Sequence, residues 1–281
     1  MRKLFLISIF LLLGGCSSTF VYNNLDWMVH WYVDDYIDLD KSQRKTFDKK
    51  FEIWHSWHRK EELGKYKAQI EQIKNKIENN QLTEDYMQSQ FDLIREHWIS
   101  IRGRIVPDLA EMALFLSEKQ VTALFDELAE DNKEEQEKHD ELYAKSDEER
   151  LKKRQKDIEE NLKEWVGKLT EEQKGIVAKY VPQFRSNWQE WIIYHKTVLV
   201  KAKTMFEGRS DNAAFKDELI QLMSNPESYR HPKMVENSEF NGALYTALVV
   251  EISGTLTGKQ RKKLFRKLDG YIDDISDLIE D

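Results

Sequence analysis

Three groups of residues have side chains that could do chemistry. Asp34, Asp35 and Asp38 surround Tyr36. Paired carboxylates can act as acid and base on a glycosidic bond. Sequence neighbours on a helix point about 100° apart, however, so Asp34 and Asp35 do not face one another by default. Binding helix starts, or an arginine such as Arg59, in a structural network is the expected role. Glu52-x-x-His55, with His58 nearly one turn on, has the spacing of half a di-iron carboxylate site. The sequence has no second Glu-x-x-His to complete it, so no metal or cofactor is expected and the histidines read as satisfied or exposed. The pairs Trp27/Trp31, Trp54/Trp57 and Trp188/Trp191 are spaced to meet on a helix. They could line a groove for a glycan, an acyl chain or an apolar client segment. More simply, they fill a helical core with each indole N–H on a carboxylate, and Trp27/Trp31 is the best exception. No phosphate-cradling loop, nucleophile elbow or zinc motif appears, so no catalytic residue is assigned. The candidate functional surface is Trp27, Trp31, Asp34, Asp35, Tyr36, Trp57, His58 and Arg59.

Helices must position these residues. Met87, Phe91, Ile94, Trp98, Ile101 and Ile105 step by four and three, and so do Tyr66, Ile70, Ile73 and Ile77. A third stripe runs from Val177 to Met205, and a fourth from Leu264 to Ile279. Each stripe lies on one side of a helix and must be buried against another helix. The fold class is therefore all-α, an elongated multi-helix bundle without sheet. A recurring phrase marks the helix starts: LDKSQ at Leu39, LSEKQ at Leu116, LTEEQ at Leu169 and LTGKQ at Leu256. An Asp, Ser or Thr followed three residues later by Gln is a capping box, in which cap oxygen and glutamine each satisfy an orphan amide. Ser146/Glu149 is a fifth box without the leucine. The glutamines are unevenly spaced, which argues against a solenoid.

Pro107 and Pro182 interrupt two stripes and should kink the helix or open a new one. Residues about 130–164 are mostly charged and read as a solvated helical pair projecting from the body. Residues about 224–241, with Asn-Pro and His-Pro, read as a long loop.

The first residues add an address. Arg2 and Lys3 precede an apolar run, Leu4 to Leu13, too short to span a bilayer. Positive start, apolar middle and small residues make a secretory signal. Leu13-Gly14-Gly15-Cys16 resembles the bacterial lipobox. That resemblance implies cleavage between Gly15 and Cys16, an S-diacylglycerol on the thiol and an N-acyl chain on the new amine. Residues 1–15 are then the signal, 16–22 a lipidated tether and 23–281 a periplasmic helical domain. Ser17, rather than Asp, after the cysteine implies the outer membrane under the sorting rule of enteric lipoproteins. Cys16 is the only cysteine, so stability must come from packing rather than disulfides. Loss of Arg2 and Lys3 takes the formal charge from −8 to −10. An acidic chain with interleaved bases is a poor ligand for nucleic acid or anionic lipid.

From Tyr22 to Gln43 the chain is similar to an uncharacterised family of proteobacterial lipoproteins. Tyr22-Asn23, Leu25-Asp26-Trp27, Trp31, Asp34-Asp35-Tyr36, Asp38-Leu39 and Gln43 carry the resemblance. It continues through Trp57-His58-Arg59, Glu62-Leu63, Tyr66 and the final Leu256-Thr257…Gln260-Arg261…Leu264. Gly64 stands where that family has proline, which puts a sharp bend there in doubt. The Leu-Thr-x-x-Gln phrase also resembles Spy-type periplasmic chaperones, helical proteins that shield unfolded clients. The resemblances imply a membrane-tethered protein with an envelope partner or client. The expected role is noncatalytic binding or scaffolding, with a holdase, or an envelope hydrolase or metal enzyme, as rivals.

Overall fold

The computed structural model describes residues 17–210 and 212–280. Gly15, Cys16 and the rest of the expected signal lie outside them. The described residues are helical almost throughout, with no strand. In chain order the helices are α1 (Ser17–Asn23), α2 (Leu25–Asp34), α3 (Lys41–Trp57), α4 (Leu63–Glu78), α5 (Glu84–Ala113), α6 (Glu118–Tyr143), α7 (Asp147–Val166), α8 (Glu171–Tyr180), α9 (Trp188–Glu207), α10 (Phe215–Ser224), α11 (Pro232–Gly254) and α12 (Gly258–Glu280). A π-helical turn, His58–Glu62, joins α3 to α4. No described helix is long and apolar enough to cross a membrane.

Among the described residues the buried side chains gather in three cores. Ile77 of α4, Leu162 and Val166 of α7, Val177 of α8, Leu248 and Ile252 of α11, and Leu264 and Leu268 of α12 form the first. Ala110, Phe125, Phe206, Phe215 and Leu219 form the second, from α5, α6, α9 and α10. The third is small: Leu39, Phe47 and Trp54, with Val29, Val33, Ile105 and Leu109 against them. At 1.5 Å per residue the thirty residues of α5 span about 45 Å. This helix packs on α3, α10 and α11 and links the cores.

All five capping boxes form. Asp40, Ser117, Ser146 and Thr170 each accept the third amide of their helix and receive the returning side chain. Thr257 does the same with Gln260 at 3.3 and 2.9 Å. The four leucine-to-glutamine phrases do more than start helices, because they meet in two pairs. Gln173 and Gln260 exchange amide hydrogen bonds at 3.0 and 2.8 Å, and Gln173 is fully buried. Gln173 also donates to the Thr255 carbonyl and Gln260 to the Lys168 carbonyl. Gln43 and Gln120 repeat the arrangement at 3.1 and 2.6 Å, donating in addition to the carbonyls of Phe115 and Asp38. The starts of α8 and α12 are thus clamped together, and so are those of α3 and α6.

Four expectations need correction. Residues 224–241 are not a loop: a short 3-10 turn, Pro226–Tyr229, leads into α11. His231 caps that helix and Pro232 takes its first position, where a missing N–H costs nothing. The charged helices do not project freely. α6 packs on α9 and α7 on α8 and α12. Sparse as it is, the stripe of Leu151, Ile158, Leu162 and Trp165 suffices to seat α7. The stripe from Val177 to Met205 belongs to two helices: Pro182 sits in a 3-10 turn, and α9 begins afresh at Trp188. Pro107, by contrast, lies within an uninterrupted α5. Finally, residues 17–22 are not a tether but most of α1, which packs on α2 and α12.

Candidate functional site

The π turn gathers a dense set of ionisable and aromatic side chains. Its signature is the Leu63 amide bonded to the His58 carbonyl, five residues back. π turns of this kind often mark functional positions. On one side lies α1. The Tyr22 hydroxyl meets His58 Nδ1 at 2.9 Å, and the Tyr22 ring packs on the His55 ring at 4.6 Å. Arg59 donates to the Asn23 side chain and lies over the Tyr22 ring. On the other side, His58 Nε2 meets the Tyr66 hydroxyl at 3.2 Å, and Tyr66 abuts the His97 ring of α5 edge-on. Glu62 is almost fully buried beneath. Its Oε1 accepts from Lys65 Nζ at 2.8 Å and Ser100 Oγ at 2.9 Å, and His97 Nδ1 lies 3.8 Å from Oε2. His97 continues to Gln69, and Gln69 to the Gln90 carbonyl.

Burial sets the electrostatics. It lowers His58 and His55 below the ordinary imidazole range, Arg59 adding to the effect at His55. It also pushes the Tyr22 phenol up to about 12 and raises Tyr66. At Glu62 burial acts upward, but the hydrogen bonds from Lys65 and Ser100 outweigh it and hold the carboxyl low. The result is a neutral Tyr–His–Tyr chain above a paired carboxylate. A neutral imidazole has one donor and one acceptor nitrogen, which matches a hydroxyl on each side.

The residues of the predicted surface are only partly brought together. His58 and Arg59 lie in the cluster. Trp57 is half-buried with Arg104 over its ring, and lines a shallow groove on α3 with Ile53 and Lys60. Asp34 pairs with Arg44, not Arg59, and Arg44 also reaches His30 at 3.1 Å. Tyr36 donates to Asp131 of α6, and burial raises its phenol. Asp35 is half-buried. Trp27 and Trp31 lie on the surface of α2. The tryptophans expected in the core behave so at Trp54, whose indole donates to Asp108 at 2.8 Å, and at Trp188, stacked between His139 and Trp191. Among the described residues no group of three or more His, Cys, Asp or Glu converges as a metal site would require.

Sequence reasoning placed Glu62 near His58 but missed Tyr22 and Tyr66 as the bonded partners of His58, and His97 as the ring facing Glu62. The only available signal was a run of polar residues at helical spacing, which a solvated face shares.

A family described as one of unknown function, DUF6279, matches residues 35–233. The chain belongs to the DUF6279 family. The matched segment contains most of the π-turn cluster and the first paired phrases, while Tyr22 of α1 and all of α12 fall outside it. No curated protein and no solved structure matches this DUF6279 chain.

Proposed function

We propose that the protein is a lipid-anchored outer-membrane lipoprotein of the proteobacterial type that faces the periplasm. It works noncatalytically, as a binding or scaffold protein of the cell envelope. The observation that carries this reading is Tyr22. The helix that follows the lipobox cysteine plugs the cluster at the π turn, where its hydroxyl occupies His58 and its ring covers His55. The side chains best suited to proton transfer are thereby committed to holding the anchor helix on the body. That suits a part that transmits position between a membrane and a partner.

Replacing Cys16 with alanine should abolish fatty-acid labelling and release the protein from the membrane fraction. Labelling that persists in the variant would remove the lipoprotein reading. Photo-crosslinking from the α3 groove in intact envelopes tests the binding role, with a discrete adduct as the expected result. A holdase is a second reading, favoured by one observation: Ile94 and Trp98 of the α5 stripe are more than half exposed instead of buried. That reading predicts suppressed aggregation of a denatured client, lost on Trp98→Ser.

A further inference from the structure

The second helix has apolar residues on both of its faces. Seven of the ten residues of α2, LDWMVHWYVD, are apolar or aromatic, yet none of the ten is buried. Val29 and Val33 turn inward against Phe47 and Trp54. At 100° per residue, Trp27 and Trp31 lie opposite them. Trp27 is 71 % exposed and Trp31 48 %, while Phe20 of α1 is 67 % exposed. Phe20, Trp27 and Trp31 are separated by seven and four residues, the spacing of a single helical stripe. Asn24 alone separates the two helices, its amide bonded to the Phe20 carbonyl at 3.1 Å, so the exposed rings lie on adjoining elements.

This face is held in place. Tyr22 and Asn23 fasten α1 to the π turn, and His30 and Asp34 fasten α2 to Asp48 and Arg44. Its position is also specific. Ser17, the first helical residue, follows Cys16 directly. Covalent geometry alone, one Cα step of about 3.8 Å plus one helical turn, keeps the Phe20 backbone within roughly 9 Å of the anchoring cysteine. Interfacial helices sink about 5–10 Å into the headgroup boundary.

We propose that Phe20, Trp27 and Trp31 form a second, noncovalent membrane contact that seats α1 and α2 among the lipid headgroups beside the acylated cysteine. The occupant is a phospholipid surface. Tryptophan is the side chain most at home there, with an apolar ring and an N–H for the wet side. Charge does not drive the contact, because Asp26 is exposed beside the stripe and Asp34 is neutralised by Arg44. Two attachments fix an orientation where one acylated residue would allow swivelling. The inference rests on lipidation of Cys16.

The test uses full-length acylated protein in vesicles of phosphatidylethanolamine and phosphatidylglycerol. Cys16 is the only cysteine and is blocked by its diacylglycerol, so Phe20→Cys, Trp27→Cys and Trp31→Cys each offer one thiol for a nitroxide. Val200→Cys, on the exposed face of α9, is the control. The expected result is a loss of collisions with a water-soluble nickel chelate and a gain with oxygen at 20, 27 and 31, with no change at 200. An acylated chain whose labels at 20 and 27 stay as chelate-accessible as the label at 200 overturns this inference alone. A chain without acyl groups overturns the lipoprotein reading as well. Labels shielded in native envelopes but not in protein-free vesicles would overturn lipid as the occupant and assign the face to a protein.

Discussion

The glutamines of the leucine-to-glutamine phrases decide what those phrases are for. In an isolated capping box glutamate serves as well as glutamine, because only an acceptor is needed for the cap amide. Ser146/Glu149 is such a box, out in solvent, and there Glu149→Gln should lose only the modest benefit of a negative charge at the helix start. Gln173 differs. Its Oε1 accepts from both Thr170 N and Gln260 Nε2, and its Nε2 donates to Gln260 Oε1 and the Thr255 carbonyl. A carboxylate there would be buried, would lose both donations and would face the Gln260 oxygen. Gln173→Glu should therefore lower unfolding free energy by about 3 kcal/mol. Thr170→Ala, which loses only a cap, should cost about 1 kcal/mol. Urea unfolding of the two variants decides between the readings. If Gln173→Glu is as stable as the parent, the pairing contributes nothing and the phrase is only a cap.

At the scale of elements, the attachment of α1 to the body rests on few side chains. Apart from its packing on α2 and α12, it is tied down by Tyr22 and Asn23. Tyr22→Phe keeps the ring against His55 but removes the hydroxyl from His58. Losing one partly buried hydrogen bond costs about 1 kcal/mol, close to a fivefold rise in local opening. Hydrogen exchange should quicken in α1 by that factor, while α12 keeps its protection. Equal protection of α1 in both proteins would show that the hydroxyl does not hold the helix. The existence of most of these helices could be read from residue spacing, since caps and stripes are local. Two kinds of feature could not. The π turn at His58–Glu62 leaves no mark in a 3.6-residue pattern, and α11 was hidden because Asn225-Pro226 and His231-Pro232 resemble loop punctuation. In both places tertiary partners, Tyr22 and Glu62 in one and Asn187 and Ser186 against α11 in the other, stabilise what spacing alone does not announce.

The whole molecule shares one electrostatic habit. His55, His58, His139 and His195 are all shifted downward, chiefly by burial, so the folded state holds four imidazoles neutral. The unfolded chain binds protons on them as the pH drops past about 6.5, whereas the folded chain does so only at lower pH. Between those values the unfolded state carries more protons, so stability rises with pH and falls on acidification. Glu62, Asp108, Glu227 and Glu251 are also held low, burial opposing the shift at the first three and the bonds from Lys179 and Tyr180 driving it at Glu251. Their stabilisation is present above the ordinary carboxylate range and is lost only as the pH falls through it. Two steps of destabilisation should therefore appear, a histidine step below about pH 6.5 and a carboxylate step below about pH 4.5. Urea midpoints measured across that range report the first step directly. His139→Phe keeps an aromatic ring against Trp188, where the two stack at 3.4 Å, and removes one titrating group. It should shrink the step between about pH 7 and 5.5 without abolishing it. Midpoints that stay level over that interval in the parent protein would mean that the imidazoles titrate alike in both states, and that burial at the π turn and at the His139–Trp188–Trp191–His195 stack is not what sets their charge.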